Sequence, residues 1–279
     1  MKELPLSILR QVRKYEPITT DGVTLFPVLV REYDDWLIAR QAIDILQQSL
    51  PVAMLSKPLL QVYYEWDVLP AIAGRPGEGT GLWGCAMLAL ALALRLGQGL
   101  APEKRMLQFS PMIQKGDPTR LKAVRAVLNG EEIIEITPVQ FQRLRPIIAA
   151  QNGVALESDE ADPELVKAER DLAEMNSVKL NIKLEDKITF VAGKCRVSEE
   201  DIDLWPIRKL DAYAEVFTRE DYFLAYTVAG AFGGFGKGGN PYPHPYYEKQ
   251  ETQSAHMPLK DFANGAGERA VANAGKQVT

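Results

Sequence analysis

Apolar and polar positions alternate along this chain in two different rhythms. Between residues 15 and 30, Glu16–Thr19 and Val23–Val28 flank Thr20-Asp21-Gly22. Asp-Gly suits the positive φ angles of a tight turn, so a β-hairpin is expected, with Pro27 marking an edge or strand end. From about Arg31 to Ser49 the rhythm changes. Tyr33, Trp36, Leu37, Ala39, Ile43 and Leu46 fall near one stripe at helical spacing. A second helix is expected from Ser56, as N-cap with Pro58 in the first turn, to about Val68. Residues 73–80 are rich in Gly and Pro and read as a loop. The apolar run that follows predicts a fully buried helix over Leu82–Leu96, with Gly97 as its stop.

The middle of the chain returns to strands. Leu121–Leu128 and Glu131–Ile136 surround Asn129-Gly130, the strongest hairpin signal in the sequence. Thr137-Pro138 then opens a helix to about Ala150, with Thr as N-cap and Pro at the first helical position; Pro146 is a possible kink site. Glu157–Asp162 reads as an acidic loop and Pro163–Met175 as a helix. Leu184–Ala192 reads as a short helix stopped by Gly193. Ser198-Glu199-Glu200-Asp201 and Thr218-Arg219-Glu220-Asp221 both look like helix starts, with Trp205-Pro206 as an interruption between them. From Gly230 on, six glycines in ten residues and a Pro/Tyr run lead into a small, polar end. That composition predicts a flexible tail. The expected fold is α+β, mostly helical with two small β-hairpins. The expected divisions are residues 1–100, 101–232 and a tail over 233–279.

Composition narrows the chemistry. Net charge is −5, which argues against free nucleic acid as a general partner. The basic stretch Lys104, Arg105, Lys115, Arg120, Lys122 and Arg125 reads as an exposed hairpin face before it reads as a phosphate site. Two cysteines, Cys85 and Cys195, make no disulfide framework. Cys85 reads as a small core residue and the compartment as reducing. Met1–Tyr15 lacks the apolar stretch of a signal peptide, and the run Leu82–Leu94 is too short for the ~20 residues of a membrane span. A soluble protein of a reducing, intracellular compartment is the expectation.

Three motif-like stretches fail on context. Gly79-Thr80-Gly81-Leu82-Trp83-Gly84 has the letters of a dinucleotide fingerprint but follows a Pro/Gly loop, not a strand. Gly236-Lys237 lacks the first glycine and the Ser/Thr of a phosphate-binding loop. His244 and His256 are the only histidines, and no Cys or acidic cluster at ligand spacing joins them. No catalytic, cofactor or metal residues are therefore assigned; a hydrolase built on carboxylates and a metal stays open as an alternative. The aromatics Trp205, Tyr242, Tyr246 and Tyr247 are the candidate partner-binding residues, since Tyr and Pro suit segments that order on a partner.

Several stretches, taken in order, resemble a known family. They are Gly22-Val23-Thr24-Leu25-Phe26-Pro27-Val28 leading into Glu32-Tyr33-Asp34-Asp35-Trp36; Ile136-Thr137-Pro138-Val139-Gln140-Phe141, then Arg145-Pro146-Ile147-Ile148 and Gln151-Asn152-Gly153; Leu184-Glu185-Asp186-Lys187-Ile188; Glu200-Asp201-Ile202; Trp205-Pro206-Ile207-Arg208-Lys209-Leu210; and Asn240-Pro241-Tyr242-Pro243. The chain resembles, over about residues 15–247, proteins encoded in tail-morphogenesis regions of phages and prophages of Gram-positive bacteria. The loop and apolar helix over 73–96 lie outside the resemblance. It implies a tail assembly protein, similar to chaperones that bind the tape-measure protein and deliver tail-tube subunits. It also implies other tail proteins as partners, with self-association compatible, and no catalytic residues. A permanent structural subunit of the virion is the alternative within that setting.

Overall fold

A computed structural model describes residues 4–46, 49–75, 78–98, 106–156, 168 and 183–231. Among these the chain is mostly helical with two small antiparallel sheets, an α+β fold. It divides into two compact units, Met1–Phe217 and Thr218–Thr279.

The first unit opens with helix α1 (Leu6–Arg13) and the hairpin β1 (Ile18–Thr20) and β2 (Val23–Leu25). Asp21 and Gly22 take φ of 48° and 78°, the left-handed pair that a tight hairpin turn requires. Helix α2 (Tyr33–Ile43) is shorter than its apolar stripe suggests. Trp36, Ala39 and Ile43 are buried as expected, and Ala42 joins them, while Leu37 faces solvent.

The expected second helix is three pieces: α3 (Leu59–Tyr63), a π-helical turn over Tyr64–Val68, and α4 (Leu69–Ile72). Ser56 is not its cap. The Leu59 N–H instead donates to Gln142 Oε1 at 3.2 Å, an acceptor from far along the chain. Helix α5 (Leu82–Ala93) is the apolar core helix, burying Ala86, Met87, Ala89, Leu90, Leu92 and Ala93. It ends before Gly97: Arg95 takes the left-handed turn at φ 51°, and the Phe26 N–H satisfies the Ala93 carbonyl at 2.7 Å.

The second sheet has three strands in the order β3-β4-β5: β3 (Leu107–Gln114), β4 (Asp117–Leu128) and β5 (Glu131–Ile136). Asn129-Gly130 turns β4 into β5 as expected; β3, with Pro111 inside it, is an addition to the sequence reading. Lys122 and Arg125 of the basic stretch face Glu135 and Glu132 of β5, at 3.9 and 3.1 Å. The hairpin face is thus charge-compensated there. Lys104 and Arg105 lie outside the described residues.

Helix α6 (Pro138–Gln151) starts as its sequence dictates, with the Thr137 hydroxyl accepting from the Gln140 N–H at 3.2 Å. Helix α7 (Leu184–Cys195) runs through Gly193 and stops at Arg196, which is left-handed at φ 58°. Ser198 caps α8 (Glu199–Asp203), accepting from the Asp201 N–H. Trp205-Pro206 interrupts, and α9 (Ile207–Ala231) follows without a break at Thr218, so the second capping pattern starts no helix.

The main core runs from Val12 and Ile18 through Ala93 to Leu121, Phe141, Ile148 and Ile207. The expected division near residue 100 falls inside it. A second, smaller core joins Val30, Val191, Ala192, Ile202 and Leu210. The described part of the second unit is the end of α9. The acidic loop over 157–162, the helix expected over 163–175 and the tail expected over 233–279 lie outside the described residues, except for Ala168, which is helical.

Candidate functional site

Three of the stretches singled out in the sequence meet at one place. The corner Trp205-Pro206-Ile207 is pinned to the strand-like segment after β2: the Val30 N–H donates to the Trp205 carbonyl at 2.9 Å, and the Ile207 N–H to the Val28 carbonyl at 3.0 Å. The Val28 N–H donates to buried Asn152 Oδ1 at 2.8 Å, while Asn152 Nδ2 donates to the Ile148 carbonyl. Gln151 Nε2 reaches the Leu25 and Glu16 carbonyls, and Arg208 Nη1 the Ala150 carbonyl at 2.7 Å. Buried Arg145 donates to the carbonyls of Ile43 and Ile45 at the end of α2. Side-chain amides and guanidinium groups here do what backbone partners do inside a sheet or helix: they satisfy buried polar groups.

The outer side of the same corner is different. Trp205 is half-buried against the second core, its ring 5.3 Å from that of Tyr213; Tyr213 in turn meets Phe217, and Phe217 meets Phe190 of α7. Lys209 Nζ lies 3.7 Å from the Trp205 ring centre and 5.8 Å from that of Tyr213. Ile207, Leu210, Ala214 and Phe217 turn inward, so Lys209, Tyr213 and Val216 share the flank beside them. Leu204 is 56% exposed, Tyr213 38% and Val216 36%. The result is an apolar ridge with one cation set on aromatic faces. Of the residues singled out for partner binding, Trp205 lies on this ridge. Tyr242, Tyr246 and Tyr247 lie outside the described residues, as do both histidines. Sequence reading missed Lys209, Tyr213 and Val216; the signal was their i, i+4, i+7 spacing, visible only once α9 is known to be continuous.

A second concavity, of about 550 Å³, lies between α3, the β3–β4 hairpin and the start of α6. It exists because β4 is longer than β5. Past the Val124–Ile136 pair, β5 leaves for α6 and the edge of β4 would lack partners. Gln61 fills the gap: its Nε2 donates to the Thr119 carbonyl at 2.9 Å, and its Oε1 accepts from the Leu121 N–H at 2.8 Å. Tyr64 donates to the Pro118 carbonyl. Glu65 accepts from Lys57 and Gln61, both at 2.6 Å. At the hairpin tip, Thr119 donates through its hydroxyl and its N–H to Asp117, which holds that carboxyl below its ordinary range. The polar groups of this groove are largely engaged with one another.

The Gly79–Gly84 stretch also has a plain role. Asp67, in the π-helical turn, accepts from the N–H groups of Thr80, Gly81 and Trp83 and from the Thr80 hydroxyl. Where a nucleotide-binding motif would hold a phosphate, the start of α5 holds this carboxylate. A Cβ on Gly79 would come within 2.8 Å of it. Burial, with Asp67 nearby, pushes the Cys85 thiol up. Cys85 is half-buried where a core position was expected, and both cysteines are free. Burial likewise raises the Tyr63 phenol, which donates to the Ala42 carbonyl at 2.7 Å.

Among the described residues, no group of three or more His, Cys, Asp or Glu converges as metal ligands would, and no helix is long and apolar enough to cross a membrane. Comparison with family models, curated proteins and solved structures gives no match to this chain.

Proposed function

We propose that the protein is a non-enzymatic, chaperone-like assembly protein of a phage tail, acting on tape-measure or tail-tube components in the host cytoplasm. What carries this reading is the ordered set of stretches that resembles tail-morphogenesis proteins. Its supporting feature is spatial: Val28, Gln151, Asn152, Trp205, Ile207 and Arg208, drawn from three of those stretches, build the junction just described. Motifs that share an order because chains share a framework are expected to meet in this way. The exposed ridge on α9 offers such a protein a surface for a partner.

Co-expression with the genes flanking it tests the reading. The tape-measure or tube protein should co-purify with the chain, and mass spectrometry of finished particles should not find the chain. Its presence in particles at a fixed ratio to the tube protein would make it a structural subunit instead. No co-purification together with absence from particles would overturn both.

A further inference from the structure

We propose that the ridge of Leu204, Trp205, Lys209, Tyr213 and Val216 docks an amphipathic helix that carries a carboxylate between apolar residues at helical spacing. The inference rests on the assembly reading above and names the partner's chemistry and the surface that recognises it.

Charge complementarity chooses this occupant. The Lys209 ammonium sits above Trp205 and Tyr213, and no carboxylate among the described residues pairs with it. Nearby Asp211 is taken by Lys187, at 2.6 Å. The ridge is therefore apolar with a positive charge that the described residues leave uncompensated. A docked carboxylate would meet that charge on a surface the aromatic rings shield from water, where a charge-assisted hydrogen bond gains strength. The exposed apolar parts of Trp205, Tyr213 and Val216 would take the partner's neighbouring apolar residues. From Lys209 to Val216 the ridge covers about 10 Å of helix axis, at 1.5 Å per residue, or about two turns of a helix lying alongside. Aromatic side chains are also the common anchors of such contacts.

The same charge argues against a second copy. A two-fold pairing of this ridge with itself would bring one Lys209 toward the other, with no acid of the ridge between them. It argues against nucleic acid as well, since one cation gives little phosphate attraction to a chain of net charge −5.

The test uses the full chain, whichever full-length tape-measure and tube proteins the neighbouring genes encode, and labelled overlapping peptides from both, read by fluorescence anisotropy. At least one peptide with an acidic residue between apolar ones should bind. Lys209→Glu should weaken both that peptide and the full-length protein by about ten-fold or more, with an unchanged melting temperature. Lysine in place of the peptide's acid should restore binding to the Lys209→Glu protein. Val216→Asp should weaken binding without the rescue. If the tail proteins fail to bind the wild-type chain, the assembly reading and the docking proposal fall together. If they bind and both variants bind equally well, or no acidic peptide binds, the ridge proposal alone is overturned. Loss of a wild-type dimer in Lys209→Glu, or capture of a single-stranded oligonucleotide by the ridge, would overturn it in favour of those occupants.

Discussion

The two sides of the Trp205-Pro206-Ile207 corner make opposite use of polarity. On the inner side, Asn152, Gln151 and Arg208 reach across the fold to backbone groups of other elements, and a buried N–H or carbonyl stands at the end of most of these bonds. On the outer side, aromatic and aliphatic area faces solvent, and a lysine has rings for neighbours but no counter-charge among the described residues. The inner side holds the fold together. The outer side packs Trp205 on the second core but leaves Lys209, Tyr213 and Val216 partly exposed, and is the side the chain can offer to a partner. Substitutions on the two sides should therefore separate stability from binding.

The largest loss of stability is expected from Asn152→Ala. It leaves the Val28 N–H and the Ile148 carbonyl without their side-chain partner in a buried setting. An unsatisfied buried group costs about 1–3 kcal/mol. At about 2–4 °C per kcal/mol for a domain of this size, the melting temperature should fall by several degrees. A fall below one degree would remove the junction from the account. Gln61→Ala comes next. It strips the free edge of β4 of its two backbone bonds, so amide exchange at Leu121 should accelerate while exchange at Val12 in α1 stays slow. Equal protection at Leu121 in both proteins would show that another group covers that edge. A smaller effect is expected from Asp67→Ala, since the capped N–H groups of α5 lie near the surface and water can replace the carboxylate. Loss of a helix cap costs about 1 kcal/mol. Thermal melts should place this variant between wild type and Asn152→Ala.

The smallest effect concerns Asp117. The hydroxyl and N–H of Thr119 stabilise its charged form, so its folded titration midpoint lies below the ordinary 3.8. A group with a depressed folded pKa contributes stability above its unfolded value, and that contribution disappears as pH falls through the folded one. The hairpin tip should thus loosen only below about pH 4. NMR titration should show the Asp117 midpoint rising toward the ordinary value in Thr119→Ala; an unmoved midpoint would reject the Thr119 hydrogen bonds as the cause.

What the sequence disclosed, it disclosed through local chemistry. Asp21-Gly22 and Asn129-Gly130 specify their turns by backbone conformation alone, and Thr137-Pro138 and Ser198 specify their helix starts by bonds within one turn. What it hid depends on distant partners. The cap of α3 comes from Gln142, not from Ser56, because the chain folds α6 against it. Strand β3 shows no clean alternation, carries Pro111 and shifts register near Ile113, so only its pairing with β4 reveals it. Thr218 has the residues of a helix start but lies inside a helix that is already propagating, where extending costs less than nucleating anew. Of the candidate site, Trp205 was legible as an odd aromatic. Lys209, Tyr213 and Val216 were not, because their common face exists only in the phase of α9.

One paired measurement tests the division most directly: the melting temperature and the affinity for the proposed tail partner of Asn152→Ala and Lys209→Glu, each compared with wild type. Asn152→Ala is expected to melt several degrees lower yet bind normally per folded molecule, while Lys209→Glu melts as wild type and loses binding. Tight binding by Lys209→Glu, beside weakened binding by folded Asn152→Ala, would contradict the division and put the partner's site on the inner side of the corner.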